Sequence, residues 1–196
     1  GDVVCVVNKE AKEKVLLCGH IDEIGFLVTR IMDNGMLKVT KAGGIHPVLY
    51  LGTHVQVVTR KGIYPGVVVT NSGLENKEKV NVDDLFIDMG FDSKEACEEI
   101  VSIGDSVLAA TDMVDLADGK FAGRALDDRI GAFIILEALK KAKENHATCG
   151  IYAATTCGEE TTMRGAYHVS NLVKPSCALI VDVTFASDYP GVSKDS

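Results

Sequence analysis

Residues 15–25 read VLLCGHIDEIG, a short apolar run followed by His20, Asp22 and Glu23. Two further apolar runs end in the same manner. GIYAAT (150–155) leads into Thr156-Cys157-Gly158-Glu159-Glu160, and CALIV (177–181) leads into Asp182. A further acidic pair, Asp127-Asp128, stands in ALDDRIG (125–131). Each apolar run has the length and texture of a buried strand. Polar groups at the carboxyl ends of parallel strands converge on one crevice in an open α/β sheet. Carboxylates and an imidazole crowded there repel one another and lose hydration, and divalent cations are the usual remedy. The expected fold class is α/β.

The 196 residues suffice for one domain or two small ones. No apolar run approaches the length of a bilayer span, and no charged-then-apolar leader opens the chain. A net charge of −8 argues against nucleic acid as a partner. The six cysteines are scattered without a CxxC pair, and Cys18, Cys149 and Cys177 lie in apolar runs where buried thiols are common. This usage points to a reducing, cytoplasmic setting. The chain starts at Gly1-Asp2 and stops at YPGVSKDS, so both ends read as cut, and a fragment is expected.

VVCVV (3–7) and VLLC (15–18) read as strands joined by the polar turn NKEAKEK. From Phe26 to about Leu108 the texture changes to short strands and glycine turns: FLVTRI, DNG, MLKVT, HVQVVT, RKG, IYPGVVVT, LFIDMG and VSIGDSVL, with the charged helix SKEACEEI between the last two. That spacing predicts a small β-barrel or sandwich. The α/β texture resumes near Phe121. Residues 127–143 predict a helix that Asp127 or Asp128 caps, with lysines in its last turn. Ile130, Phe133, Ile134, Leu136 and Ala138 make it apolar all round, so it is expected to pack on the sheet. A strand, a short helix (Ala166–Leu172) and another strand complete a βαβ step. The predicted organisation is one α/β domain made of residues 1–25 and 115–196, interrupted by a β-rich insert at 26–114.

Each candidate residue has a plain reading beside the chemical one. His20 is either a hydrogen-bonded histidine at a strand end or a metal ligand with Asp22 behind it, orienting the ring. Asp127 and Asp128 are either helix caps or ligands. Glu159 and Glu160 form either an exposed acidic loop or a ligand beside a free carboxylate that accepts a proton from water. Asp182, placed inside an apolar strand, needs a cation or an arginine. Asp188 reads as a turn residue, and His46, His54, His146 and His168 read as structural or exposed. GxSxG, P-loop and GxGxxG patterns are absent.

These ordered motifs resemble the M42 metallopeptidase family, the tetrahedral, glutamyl and deblocking aminopeptidases. GHIDEIGFLVTRI resembles the first metal motif. KAGGIHP, GTHVQV, IYPGVVV, LFIDMGFDSKEAC and VSIGDSV resemble the inserted domain. ALDDRIG, TCGEE…RGA and ALIVDV…DYPG resemble the remainder of the site. The resemblance spans essentially the whole chain. It implies a mixed-sheet, phosphorylase/hydrolase-like core with an inserted small, PDZ-like β-barrel. It implies an aminopeptidase that removes N-terminal residues from short peptides with two divalent cations, zinc or cobalt. His20 and Asp182 would bind the first metal and Glu160 the second. Asp127 would bridge them, Glu159 would be the general base and Asp22 would orient His20. The insert would be the module through which dimers build dodecamers.

Two departures stand out. Thr161-Thr162-Met163 replaces the family's valine-glycine-leucine stretch, and the histidine that completes the second metal has no counterpart before Ser196. The rival expectation is an assembly or peptide-binding module with an incomplete site. A glycosidase would need only paired carboxylates and leaves His20 and Asp182 without a role.

Overall fold

The computed structural model describes residues 1–71, 79–188 and 190. The sequence reading extended through Tyr189 and the residues from 191 on, which lie outside the described set. The chain forms two compact units, Gly1–Asp22 with Ala125–Ser196, and Glu23–Arg124. Their borders fall before residue 25 and beyond residue 114. A two-stranded hairpin, β9 (Val114–Asp115) with β10 (Phe121–Ala122), belongs to the second unit. Glu23 and Arg124, the first and last residues of that unit, are ion-paired.

The first unit is built on a four-stranded sheet in the order β1-β11-β2-β12. Its strands are β1 (Val3–Val7), β2 (Lys14–His20), β11 (Gly150–Thr156) and β12 (Cys177–Ile180). β1 runs antiparallel to β11, while β11 and β12 both run parallel to β2. So β1 and β2, joined by a polar turn, are not neighbours, because β11 lies between them. The central strands are buried on both faces, which accounts for their uninterrupted apolar sequence. Leu17, Ile151 and Ala153 pack on one face against Ile135 and Leu139 of helix α2 (Leu126–Glu144). Leu16, Cys18, Tyr152 and Ala154 pack on the other against Val169 and Val173 of α4 (Arg164–Val173).

The side of α2 that faces the sheet is not the one that residue size suggests. Gly131, Ala132, Ile135 and Leu139 are buried, whereas Phe133, Ile134 and Leu136 are exposed. Small residues let the helix approach closely, and an all-round apolar sequence carries no directional signal. The lysines of the last turn, Lys141 and Lys143, are as expected. β12 also differs from the reading of a buried strand. Among the described residues it pairs with β2 alone, and Cys177, Leu179 and Ile180 are exposed. It ends at Ile180, so Asp182 is exposed beyond the strand rather than buried within it. Cys149 is half-buried, and all six cysteines are free thiols.

The second unit is a closed antiparallel barrel in the order β3-β4-β7-β6-β5-β8. Its strands are β3 (Gly25–Ile31), β4 (Leu37–Ala42), β5 (His54–Thr59), β6 (Gly62–Thr70), β7 (Leu85–Asp88) and β8 (Ser106–Ala109). Alternate residues point inward and fill it with Phe26, Val28, Leu37, Val55, Val57, Val68, Leu85, Ile87 and Val107. Closure leaves no free strand edge. Gly35 in the DNG turn has φ 81°, and a β-carbon there would meet the Phe91 carbonyl oxygen at 2.5 Å. Helix α1 (Lys94–Glu98), capped by Ser93, adds Cys97 to the barrel core. No helix among the described residues is long and apolar enough to cross a membrane.

The orientation of α2 sets up a stability test. Ile135→Ala is expected to lower the unfolding free energy by about 2–5 kcal/mol. Phe133→Ala, on the exposed side, should change it by no more than about 0.5 kcal/mol. Urea melts of the two variants check this, and the reverse order would place Phe133 against the sheet.

Candidate metal centre

The register of the first unit assembles the site. His20, the last residue of β2, pairs with Thr156, the last residue of β11. The loop carrying Gly158, Glu159 and Glu160 therefore leaves the sheet beside His20. Ile180 pairs with Cys18, and the ladder's last bond runs from the Val181 N–H to the Cys18 carbonyl at 2.9 Å, so Asp182 emerges at the same end. Asp127 sits before the helical part of α2, in extended backbone (φ −82°, ψ 107°).

His20 is buried at 3% exposure. Its Nδ1 lies 3.2 Å from the Asp22 backbone carbonyl and 3.6 Å from an Asp22 carboxylate oxygen. A carbonyl can only accept, so this contact assigns the proton to Nδ1. Nε2 then presents its lone pair to Asp127 Oδ1 at 3.0 Å, with Glu159 Oε2 at 3.8 Å. Two acceptors that close need a proton or a cation between them. Burial pulls the His20 pKa down, but the carboxylates of Glu159, Asp22 and Asp127 outweigh it and hold the imidazole above its ordinary value.

Ligand atoms of His20, Asp127 and Asp182 all lie within 4.8 Å of one another. An imidazole nitrogen with two carboxylate oxygens fits a zinc- or cobalt-type cation. Glu160 stands outside this group. Burial, followed by the field of Asp127 and its neighbours Glu159 and Asp22, raises its pKa. That is the expected behaviour of a carboxyl among like charges.

Asp22 does more than face His20. Its two carboxylate oxygens accept from the backbone N–H groups of Glu159 and Glu160, at 3.3 and 3.4 Å. It thus caps the short helix α3 (Glu159–Thr162) and ties the glutamate pair to the end of β2. The sequence reading did not foresee this second contact.

Nor did it assign Asp128 beyond a cap or ligand. Asp128 is fully buried, and its Oδ1 accepts from the Gly131 N–H at 3.0 Å while Oδ2 accepts from the His20 N–H at 3.2 Å. The first bond makes Asp128, not Asp127, the cap of α2. Burial and nearby Asp182 raise its pKa against the pull of those two bonds. The glycines at 19 and 131 were the available signal, since both sit where this carboxylate packs.

The remaining histidines are not in the ligand group. His46 and His54 belong to the barrel unit, and His146 follows α2. His168 on α4 lies 2.9 Å from the Asp2 carboxylate through Nδ1. Asp2 also accepts from the Cys157 N–H at 3.0 Å. Burial raises the Asp2 pKa, but these bonds prevail and hold it below its usual value.

Comparison with known proteins agrees with this architecture. The family model described as M42 glutamyl aminopeptidase matches residues 1–196. The lysyl aminopeptidase of Pyrococcus furiosus is 31% identical over 185 residues, covering 91% of this chain and 53% of that protein. The structure of a TET aminopeptidase from the marine sediment archaeon Thaumarchaeota archaeon SCGC AB-539-E09 superposes with a TM-score of 0.90 at 33% identity, covering 98% of this chain and 56% of that one. Pyrococcus horikoshii TET1 peptidase, described as assembling into a tetrahedron or a large octahedral shell, gives 0.85 at 34% identity over 98% of this chain and 60% of its own. The chain spans about half the length of the curated relatives it matches. With a match along its entire length, the chain belongs to the M42 glutamyl aminopeptidase family.

Proposed function

We propose that this chain carries the metal site of an aminopeptidase that removes N-terminal residues from short peptides. The observation that carries the reading is the convergence of His20, Asp127 and Asp182 within ligand reach, with Glu159 beside them. His20, Asp127 and Asp182 would hold a first cation, and Asp127 with Glu160 would contribute to a second. Zinc and cobalt both suit these donors. When bound, the cations supply Lewis acidity that polarises a scissile carbonyl and acidifies a water. Glu159 would take the proton from that attacking water and return it to the leaving amine. Asp22 holds Glu159 in place through its backbone and, through its own carbonyl, keeps the proton of His20 on Nδ1.

In this reading the Gly1–Asp22 and Ala125–Ser196 unit would be the catalytic domain and the Glu23–Arg124 barrel the assembly module; the shells described for the Pyrococcus horikoshii peptidase support self-association. The proposed partners are peptides and further copies of the chain, and six free thiols support a cytoplasmic setting. The family model is described as glutamyl and one relative as lysyl, so the N-terminal residue preferred here is left to assay. The rival reading, an incomplete site serving assembly or peptide binding, draws on one observation. Among the described residues Glu160 is not part of a three-ligand group.

In a form of the protein with both cation sites complete, Glu159→Gln is expected to retain metal and lower kcat by about 10²–10⁴-fold, the range for losing a general base. Glu160→Gln in that form should instead release the second metal. Metal analysis alongside turnover separates the two, and metal loss in Glu159→Gln would make that residue a ligand. Zinc titration of the metal-free 196-residue chain is expected to show a single tight site and little hydrolysis of an amino-acid anilide. Two tight sites with full turnover would mean that a histidine already present completes the second site. Joining Asp22 directly to Ala125 is expected to leave a smaller assembly by light scattering, and an unchanged mass would remove the barrel from that role.

A further inference from the structure

Among the described residues, the most deeply buried acid of the first unit is not one of the proposed ligands. Asp128 follows the ligand Asp127 in sequence, and its carboxylate is divided between two backbone N–H groups. One belongs to His20 at the end of β2, and the other to Gly131 in the first turn of α2. The local sequence makes room for this arrangement. A β-carbon at Gly131 would lie 2.3 Å from both carboxylate oxygens of Asp128. One at Gly19 would lie 3.0 Å from Asp128 Oδ2, from the Ala132 nitrogen and from the Gly131 carbonyl carbon. Alanine at either position would push the carboxylate or the helix away. Two glycines and an acid at 0% exposure therefore form one packed joint between the strand that carries His20 and the helix start that carries Asp127.

Resting on the metal-site reading above, we propose that Asp128 is a positioning residue for the metal ligands. It clamps the end of β2 to the first turn of α2, so that His20 Nε2 and Asp127 Oδ1 are set 3.0 Å apart before a cation arrives. A carboxylate is required because both of its partners are donors. In Asp128→Asn, the amide NH₂ would face one of the two N–H groups and that bond would be lost. Neither ligand changes, but the joint that aims them loosens. Partners that orient ligands typically contribute a factor of about 10–100 to metal affinity.

The test uses the whole chain. Zinc affinity of the tight site is expected to fall by about 10- to 100-fold in Asp128→Asn, and the visible absorption of the cobalt-loaded form should shift. Gly131→Ala, which displaces the same carboxylate, should give the same signature. Val169→Ala serves as the control, since Val169 is fully buried on α4 against the opposite face of the sheet. It should lower the melting temperature while leaving zinc affinity and the cobalt spectrum unchanged. Native zinc affinity and an unaltered cobalt spectrum in Asp128→Asn would reduce Asp128 to a helix cap and overturn the proposal. Failure of the unsubstituted chain to bind zinc would instead overturn the metal-site reading itself. A measurement on the unsubstituted, metal-free chain needs no variant to fold. The His20 and Gly131 amides should resist hydrogen exchange as strongly as those of Ile135 and Ala153, and rapid exchange would show that the clamp is not preformed.

Discussion

The parallel pairing of β2 with β11 on one side and β12 on the other governs what this chain can do. Hydrogen bonding sets His20 opposite Thr156 and Cys18 opposite Ile180. Every polar group that follows those strand ends is then delivered to the same edge of the sheet. The apolar interiors of the strands, packed against α2 and α4, fix the register, because a slip by one residue would turn Leu16 and Leu17 to the wrong faces. The site is therefore a consequence of packing elsewhere, and the ligands contribute little to holding it in place.

Without a cation their contributions are mixed. Burial and the surrounding like charges raise the pKa of Glu160, which is unfavourable, whereas at His20 the penalty of burial is outweighed by carboxylates that stabilise the imidazolium and raise its pKa. The fold tolerates this charge density by dividing the acids between two tasks. Asp22 and Asp128 direct their oxygens to backbone N–H groups, which favour a carboxylate, although at Asp128 burial outweighs those bonds and raises its pKa. Asp127 and Asp182 remain exposed to water, so their desolvation is small. The acids that build the site and the acids that face the cation are thus different residues, although in sequence they alternate.

The strands were legible in the sequence because short apolar runs between polar turns allow few other structures, and the barrel was legible from its glycine-punctuated strands. The convergence of His20 and Asp182 followed from one rule about strand ends, whereas Asp127 joins them from the start of α2. Three features were hidden, each for a physical reason. The sheet-facing side of α2 could not be read, since Phe133, Ile134 and Leu136 are as apolar as Ile135, and close approach is set by Gly131 and Ala132. The environment of Asp182 was misjudged because Val181 and Val183 extend the apolar run past the point where pairing with β2 ends. The parts played by Asp22 and Asp128 depend on backbone donors distant in sequence, and no spacing rule reports those.

The ion pair between Glu23 and Arg124 has a consequence for how the chain folds. Strand β2 must find β11, and Lys14 pairs with Gly150 across the whole length of the barrel unit. As an open loop, that stretch imposes a closure entropy that grows with its length. Once the barrel has formed from contacts within its own contiguous segment, its first and last residues are joined by the ion pair, and the barrel's share of the loop shrinks to the step between neighbouring side chains. Contacts remote in sequence slow folding, and prior closure of the insert removes most of that remoteness. The rate at which the metal site appears during refolding is thus set in part by residues such as Leu85 and Val107, which lie in the barrel core and contribute nothing to the site.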